Sequence, residues 1–135
     1  MLISSGGTLA SCMPRKSPRI GTPRRAAASA SIITTAPAIR KLMKHHGLAM
    51  SDIDLFELHE AYAVTTLYNQ AQLQTPWEIT NVNGGAVALG HPYGMSGIRY
   101  LGSTLLELRR RERRRAVVGV CTAGGMATAA CLERP

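Results

Sequence analysis

The chain has 135 residues, 45% of them hydrophobic, and a formal net charge of +8. This length suits one domain with its own hydrophobic core, and every apolar run is too short for a transmembrane helix. The first ten residues carry no charged side chain ahead of their few apolar positions, so we expect neither a signal peptide nor a membrane partner. Three cysteines without a C-x-x-C pair or a metal-ligand spacing indicate reduced thiols, a cytoplasmic location and no bound metal.

The positive charge is concentrated in two segments. The first 30 residues contain basic side chains and no acid, and six arginines lie between Arg109 and Arg115, interrupted only by Glu112. One interpretation is a phosphate-rich partner; the other is a solvated helix end together with a disordered tail. No aromatic residue lies among these arginines to stack on bases, so we expect no nucleic-acid partner.

In chain order, residues 1–30 are rich in Ser, Ala, Pro and Arg, which predicts a disordered basic tail before a domain at residues 31–135. Pro37 to His46 has apolar residues at helical spacing, and Gly47 then predicts the end of a helix. A turn at residues 50–54 precedes a short strand at 55–58.

The second half of the chain alternates further helices and strands. Glu60 to Gln72 predicts a helix with one apolar side, formed by Ala61, Val64, Leu67, Tyr68 and Ala71. A brief strand or extended segment at residues 79–83 and a long helix at 96–111 follow. That long helix has an apolar face of Ile98, Leu101, Leu105 and Leu108.

Two strands, at residues 116–121 and 126–132, end the chain. The order of elements predicts an α/β fold, with a layered mixed sheet of about four to five strands covered by helices. The last two strands are expected to be antiparallel.

The stretch from Asn81 to Gly97 is the most informative segment, because it places His91 among five glycines in seventeen positions. Glycine permits positive φ and close backbone approach at a cost in chain entropy. Cys121 lies 30 residues after His91, across one helix and one strand, and a βαβ arrangement brings both to the same edge of the sheet. The spacing allows a Cys/His site, or a buried structural cysteine beside a surface-turn histidine.

Other polar positions leave alternatives open. Gly124-Gly125 can expose backbone N–H groups to an anion or form a tight hairpin without a ligand. His59 can polarise a carbonyl or serve as a structural histidine. We expect His45-His46 to be solvated, and Cys12 and Cys131 to be structural or incidental.

These features together resemble the C-terminal domain of the thiolases, a family of acyl-CoA acyltransferases. The resemblance rests on His59-Glu-Ala-Tyr-Ala63, on the ungapped segment from Asn81 to Gly97, and on Cys121-Thr-Ala-Gly-Gly-Met126. It also extends to Pro37-Ala-Ile-Arg-Lys41 and Asp52-Ile-Asp-Leu-Phe-Glu57, so that it covers roughly residues 34 to 133.

The resemblance implies a reversible Claisen condensation, or thiolysis of a 3-oxoacyl-CoA, through an acyl-cysteine. It implies that His91 activates the nucleophilic cysteine and helps bind the thioester oxygen, and that Cys121 moves a proton on or off the α-carbon. His59 would help hold a water at the oxyanion site. The backbone at Ala123 and Gly124 would bind substrate, with coenzyme A as a substrate and neither a cofactor nor a metal.

Two departures from the family pattern matter. Ala123 stands where relatives have glycine, which adds strain if that backbone needs positive φ. The family's nucleophilic cysteine belongs to an N-terminal domain that has no counterpart in the match, and Cys12, followed by Met13-Pro14, does not fit its pattern.

We therefore expect a truncated thiolase, inactive alone, that uses acyl-CoA and CoA if an N-terminal half completes it. The alternative is a non-catalytic partner that completes a site with a separate N-terminal-half chain. Either way we expect the exposed domain interface to cause association.

Overall fold

The computed structural model describes residues 35–134. The predicted basic tail of residues 1–30 therefore lies outside the described residues. The first helix, α1, spans Thr35–His46, with Ile39 and Met43 buried. It begins where Ala36 N donates a hydrogen bond to Asn69 Oδ1, at 3.0 Å. It ends at Gly47, whose φ of 63° is the left-handed conformation that commonly ends helices.

Three strands form the sheet, in the spatial order β1-β2-β3. Strand β1 (Leu55–Leu58) pairs in parallel with β2 (Arg115–Thr122), and β2 pairs antiparallel with β3 (Met126–Glu133). The predicted α/β class, with a mixed sheet and an antiparallel final pair, is confirmed. The described residues contain three strands, however, where about four to five were predicted.

The missing strand is the one predicted at residues 79–83. It is reduced to a single parallel bridge between Phe56 and Thr80. A 3-10 turn at Trp77–Ile79 precedes the bridge, and Asn81 has a φ of 49°. This left-handed residue turns the chain away from the sheet, so pairing cannot continue into the glycine segment.

Helices cover both faces of the sheet. On one face, α1 packs against a cluster that includes Phe56, Leu58 and Val117. On the other, the long helix α4 (Tyr93–Arg110) packs through Leu108 against Leu55 and Ala116. Alternate residues of β1 and β2 thus enter opposite clusters, as side chains of a strand covered on both faces must.

The two helices between β1 and α4 are α2 (Ala63–Leu73) and the single turn α3 (Ala86–Leu89). Helix α2 buries Thr65, Thr66, Asn69 and Leu73. Its predicted apolar side is turned outward: Val64 is 61% exposed and Leu67 is 55% exposed. Asn69 explains the orientation, since its side chain bonds both Ala36 N and Thr65 O and must face inward.

Helix α4 shows the same inversion. Its buried residues are mostly polar, namely Ser96, Tyr100, Thr104, Glu107 and Leu108. Of the predicted apolar face only Leu108 is buried, and Ile98 is 75% exposed. The polar face of α4 lies against the glycine segment and the sheet edge, so the helix presents hydrogen-bonding groups to that region.

The arginines at the end of α4 are engaged within the domain. Glu107 accepts hydrogen bonds from Arg110 and Arg111, and Arg110 holds its pKa down to about 2. The backbone amides of Arg114 and Arg115 both donate to Asp54 Oδ2, at 2.9 Å. Among residues 35–134, no helix is both long and apolar enough to cross a membrane.

Candidate active site

The carboxyl ends of the two parallel strands define one edge of the sheet, where α/β folds commonly place their sites. His59 continues the ladder one step beyond β1, because its N–H donates to Gly119 O at 2.8 Å. Cys121 is the penultimate residue of β2, two positions after Gly119. His59 and Cys121 therefore occupy the same edge, in neighbouring strands.

His91 joins this edge through His59. The centroids of the two imidazole rings are 4.2 Å apart, and the ring of Tyr93 meets His91 edge-on at 4.9 Å. His59 is only 3% exposed. Burial, followed by the nearby His91, lowers the pKa of His59 to about 4, so His59 is neutral at physiological pH.

The hydrogen bonds around His91 define its tautomer. Ser96 Oγ donates to Pro92 O at 3.0 Å, and that carbonyl can only accept. Ser96 Oγ therefore has lone pairs and no proton to offer His91 Nδ1, which lies 2.7 Å away. With the Ser96 proton on Pro92 O, a neutral imidazole at this position would carry its proton on Nδ1 and leave Nε2 with a lone pair, the arrangement of a general base.

Glu60 holds the glycine segment in place. Its Oε1 accepts from Asn81 Nδ2 and its Oε2 from Val87 N, both at 2.8 Å. A Cβ on Gly85 would lie 2.1 Å from the Glu60 carboxyl carbon. Only glycine at position 85 allows this approach, which gives one of the predicted glycines a specific role.

Two side chains of α4 support the same segment. Asn83 Nδ2 donates to Glu107 Oε2 at 3.1 Å, and Arg99 donates to Gly90 O at 2.9 Å. The sequence motifs did not indicate these supporting residues, nor Tyr100, whose hydroxyl lies 2.6 Å from His59 Nδ1. The spacing of Ser96 and Tyr100 one helical turn apart was the available signal, because both project from one face of a helix.

Cys121 is half-buried, and burial raises the pKa of its thiol. The thiol therefore keeps its proton at neutral pH, the form that can donate a proton. Antiparallel pairing continues to Thr122↔Met126, so Ala123, Gly124 and Gly125 form the connection of a hairpin. Gly124 and Gly125 have φ values of 77° and 75°, whereas Ala123 has no positive φ. Alanine at position 123 therefore causes no backbone strain.

The structure brings His59 and His91 into contact and places Cys121, Ala123 and Gly124 at or just beyond the same strand ends. His45 and His46 are exposed at the end of α1, and Cys131 lies half-buried in β3, opposite Val117. Cys12 lies outside the described residues. Within residues 35–134, no group of three His, Cys, Asp or Glu side chains is arranged to hold a metal ion.

Fold and site together define an α/β domain with a histidine pair and a cysteine at the carboxyl edge of a mixed sheet. Residues 17–134 match the family model "Thiolase, C-terminal domain". The chain is 42% identical over 99 residues to an acetyl-CoA acetyltransferase from Paracoccus denitrificans. It is 48% identical over 110 residues to acetyl-CoA acetyltransferase 2 from Arabidopsis thaliana. These matches cover 73% and 80% of the chain.

A solved structure is similar in fold as well. The human mitochondrial 3-ketoacyl-CoA thiolase matches 78% of the chain with a TM-score of 0.74 and 40% sequence identity, and 27% of that protein is covered. The chain belongs to the thiolase family, which confirms the resemblance seen in its motifs. It spans about a quarter of the length of the curated relatives that it matches, 25% and 27% for the two named here.

Proposed function

We propose that residues 35–134 form the proton-transferring half of a thiolase-type acyltransferase site. The observation that carries this proposal is the contacting pair of His59 and His91 at the strand edge that also bears Cys121. The pair provides a base and a neutral polar imidazole, and Cys121 provides a protonated sulfur at the end of the neighbouring strand.

The proposed roles follow from the protonation states. In thiolysis, His91 Nε2 takes the proton of an acylating cysteine, which lies outside residues 35–134, and the thiolate attacks the 3-oxo carbon of a 3-oxoacyl-CoA. The C2–C3 bond then breaks, and its electron pair stays on C2. Cys121 donates its proton to C2, which releases acetyl-CoA, and the incoming coenzyme A thiol returns a proton to Cys121. The coenzyme A thiolate then attacks the carbonyl of the acyl-cysteine and forms the shortened acyl-CoA. The expelled cysteine thiolate recovers its proton from His91. Condensation is the reverse sequence, in which Cys121 withdraws the proton from C2.

In this proposal, two groups stabilise the oxyanion. His59, neutral because its pKa is lowered to about 4, would hold a water against the thioester oxygen. The hairpin after β2 would present the N–H groups of Ala123 and Gly124 to the acyl oxygen, and the ordinary φ of Ala123 leaves its amide free of strain.

We propose further that additional thiolase-like polypeptide, in the same or another chain, supplies the acylating cysteine and covers an apolar surface of this domain. We define the outer apolar surface by exposed side chains on the three helices between β1 and β2: Tyr62, Val64, Leu67, Val87, Leu89, Met95 and Ile98. Exposed apolar side chains in such number are typical of a protein–protein interface. The Asn69 and Tyr100 contacts that turn α2 and α4 inward leave this surface outside.

A chimera tests the proposed activity. Residues 35–134 would replace the matching 99 residues of the Paracoccus denitrificans acetyltransferase, and thiolysis of acetoacetyl-CoA would be measured. We expect turnover that falls at least about 100-fold in His91→Asn and in Cys121→Ala, because general acid–base groups contribute about that much or more. The exposed His46→Asn and the β3 residue Cys131→Ala serve as matched controls. A folded chimera without turnover, or with turnover indifferent to His91, would contradict the proposal.

The second candidate function is that of a non-catalytic partner that completes a site on a separate N-terminal-half chain. The outer apolar surface favours it, because it fits a chain that docks on these helices. Co-purification with such a half, lost on Leu67→Glu, would support this role, and failure to associate with it would count against it. Thiolysis by the purified 135-residue chain that disappears in Cys12→Ser would contradict the non-catalytic role. It would also contradict the proposed need for additional thiolase-like polypeptide, because the chain would then supply its own nucleophile.

A further inference from the structure

The rings of His59 and His91, tilted by 49° to each other, differ in the partner of their Nδ1 atoms. His91 Nδ1 faces Ser96 Oγ at 2.7 Å, whereas His59 Nδ1 faces the hydroxyl of Tyr100 at 2.6 Å. Tyr100 is 1% exposed and belongs to the buried face of α4. A serine hydroxyl that donates its only proton to a carbonyl can only accept a hydrogen bond from the histidine. A phenol hydroxyl can instead donate its proton to the histidine.

The phenol has one proton, and the surrounding groups determine where it goes. Burial raises the pKa of Tyr100, so the phenol keeps its proton at neutral pH. Arg99, with its guanidinium carbon 5.1 Å from the ring centroid of Tyr100, offers only donors. Ser96 Oγ donates to Pro92 O and faces His91 Nδ1. The acceptor that lies 2.6 Å from the phenol oxygen is His59 Nδ1.

We propose that Tyr100 is a positioning residue that donates its hydroxyl proton to Nδ1 of His59 and so fixes the Nε2–H tautomer of that histidine. His59 is neutral and carries one ring proton, which then resides on Nε2. The charged or titratable groups that face His59 are His91, Glu60 and Arg99. None of them removes the Nε2 proton, because His59 and His91 share no hydrogen bond and Glu60 is engaged by Asn81 and Val87.

The consequence is a pair of imidazoles with opposite capacities, 4.2 Å apart. His91 presents an Nε2 lone pair and acts as an acceptor of protons. His59 presents an Nε2–H and acts as a donor of a hydrogen bond. This inference rests on the proposed function for its use, since a histidine that holds a water against an oxyanion needs the donor form.

The test is the tautomeric state of His59 in the full 135-residue chain labelled with 15N-histidine. Two-bond 1H–15N correlation spectra distinguish the protonated from the unprotonated ring nitrogen, and His59→Asn assigns the signal among the four histidines. We expect Nδ1 unprotonated and Nε2 protonated at His59, with the opposite pattern at His91. A protonated Nδ1 at His59 would overturn the proposal.

Tyr100→Phe removes the hydroxyl and keeps the ring. We expect the ratio of the two His59 tautomers to shift by about five- to tenfold, the size of one lost hydrogen bond. Tyr68→Phe, on the outward side of α2, is the matched control and should leave the ratio unchanged. An unchanged ratio in a folded Tyr100→Phe protein would refute the role of the hydroxyl.

If Tyr100→Phe fails to fold, the wild-type spectrum decides. A hydrogen-bonded phenol proton with a through-bond coupling to His59 Nδ1 supports donation by Tyr100, and the lack of such a coupling refutes it. None of these spectra depends on turnover. The spectra can therefore support the proposed tautomer even if the chimera is inactive. In that case the proposed function fails and the proposal about Tyr100 stands.

Discussion

Gly85→Ala is the substitution whose effect the structure determines most fully. The Cβ of an alanine at this position would lie between 2.1 and 2.5 Å from the carboxyl atoms of Glu60, which real Cβ atoms do not tolerate. Gly85 has a φ of −105°, which alanine adopts without strain, so the cost comes from the clash alone.

The size of the loss follows from what the Glu60 carboxylate must give up when it moves. It accepts hydrogen bonds from Asn81 Nδ2 and from Val87 N, each at 2.8 Å. A hydrogen bond to a charged group contributes about 1.5–3 kcal/mol, and a half-buried site lies at the lower end of that range. We expect the free energy of unfolding to fall by about 2–4 kcal/mol, measured by urea denaturation.

The controls make this prediction specific. Gly102→Ala, in α4, meets no atom within 4 Å, and we expect it to raise stability by about 0.5–1 kcal/mol. In a Glu60→Ala background the clash is gone, so Gly85→Ala should cost less than about 1 kcal/mol there. If Gly85→Ala destabilises the protein equally in both backgrounds, the assigned role of Glu60 is wrong.

Three further predictions concern pH, charge and association. The pKa of His59 is about 4 in the folded protein and 6.5 ordinarily. Between these pH values the unfolded chain binds more protons than the folded protein, so stability falls as the pH decreases from about 6.5 to 4. His59→Asn should flatten this dependence by about 2–3 kcal/mol in denaturation curves at several pH values. Burial raises the pKa of Glu57 to about 7, which gives stability the opposite dependence on pH. This contribution is the same in both proteins, so it cancels when His59→Asn is compared with the wild type. An unchanged pH profile would show that His59 titrates normally. Glu107→Gln should lower the free energy of unfolding by about 1–2 kcal/mol, because it weakens the bonds to Arg110 and Arg111. Glu133 is exposed, so Glu133→Gln should lower it by less than about 1 kcal/mol. Equal losses in the two variants would contradict the structure. The purified chain should self-associate in sedimentation experiments and become more monomeric with Leu67→Glu and Ile98→Glu; a monodisperse wild-type monomer at high concentration would contradict the proposed interface.

The sequence predicted the parts of the fold that local patterns encode. Pro37 near the start of α1 and Gly47 at its end, the continuous apolar run of β2 and the hairpin at Gly124-Gly125 were all predicted from residues within a few positions of one another. The sequence predicted a common edge for His91 and Cys121 from a βαβ arrangement, and β1 and β2 are indeed parallel. In each case the signal lies within one element or one βαβ unit.

The parts that could not be predicted depend on contacts between distant residues. The apolar side of α2 faces outward because Asn69 bonds to the start of α1, 33 positions earlier in the chain. The periodicity of apolar residues shows that a helix has an apolar side, but it does not show whether that side faces the core or an interface. The specific need for glycine at position 85 comes from Glu60, and the tautomer of His59 depends on Tyr100, 41 residues away. Each of these depends on a polar side chain whose partner the linear sequence does not identify.

In the proposed site, His91 and Cys121 perform different proton transfers. In the chimera, this is tested most directly by measuring two partial reactions with acetyl-CoA: acetylation of the enzyme, and exchange of the acetyl hydrogens with deuterated water. We predict that Cys121→Ala still becomes acetylated but no longer catalyses the exchange, whereas His91→Asn loses acetylation. Exchange at the wild-type rate in Cys121→Ala, or undiminished acetylation in His91→Asn, would contradict the claim.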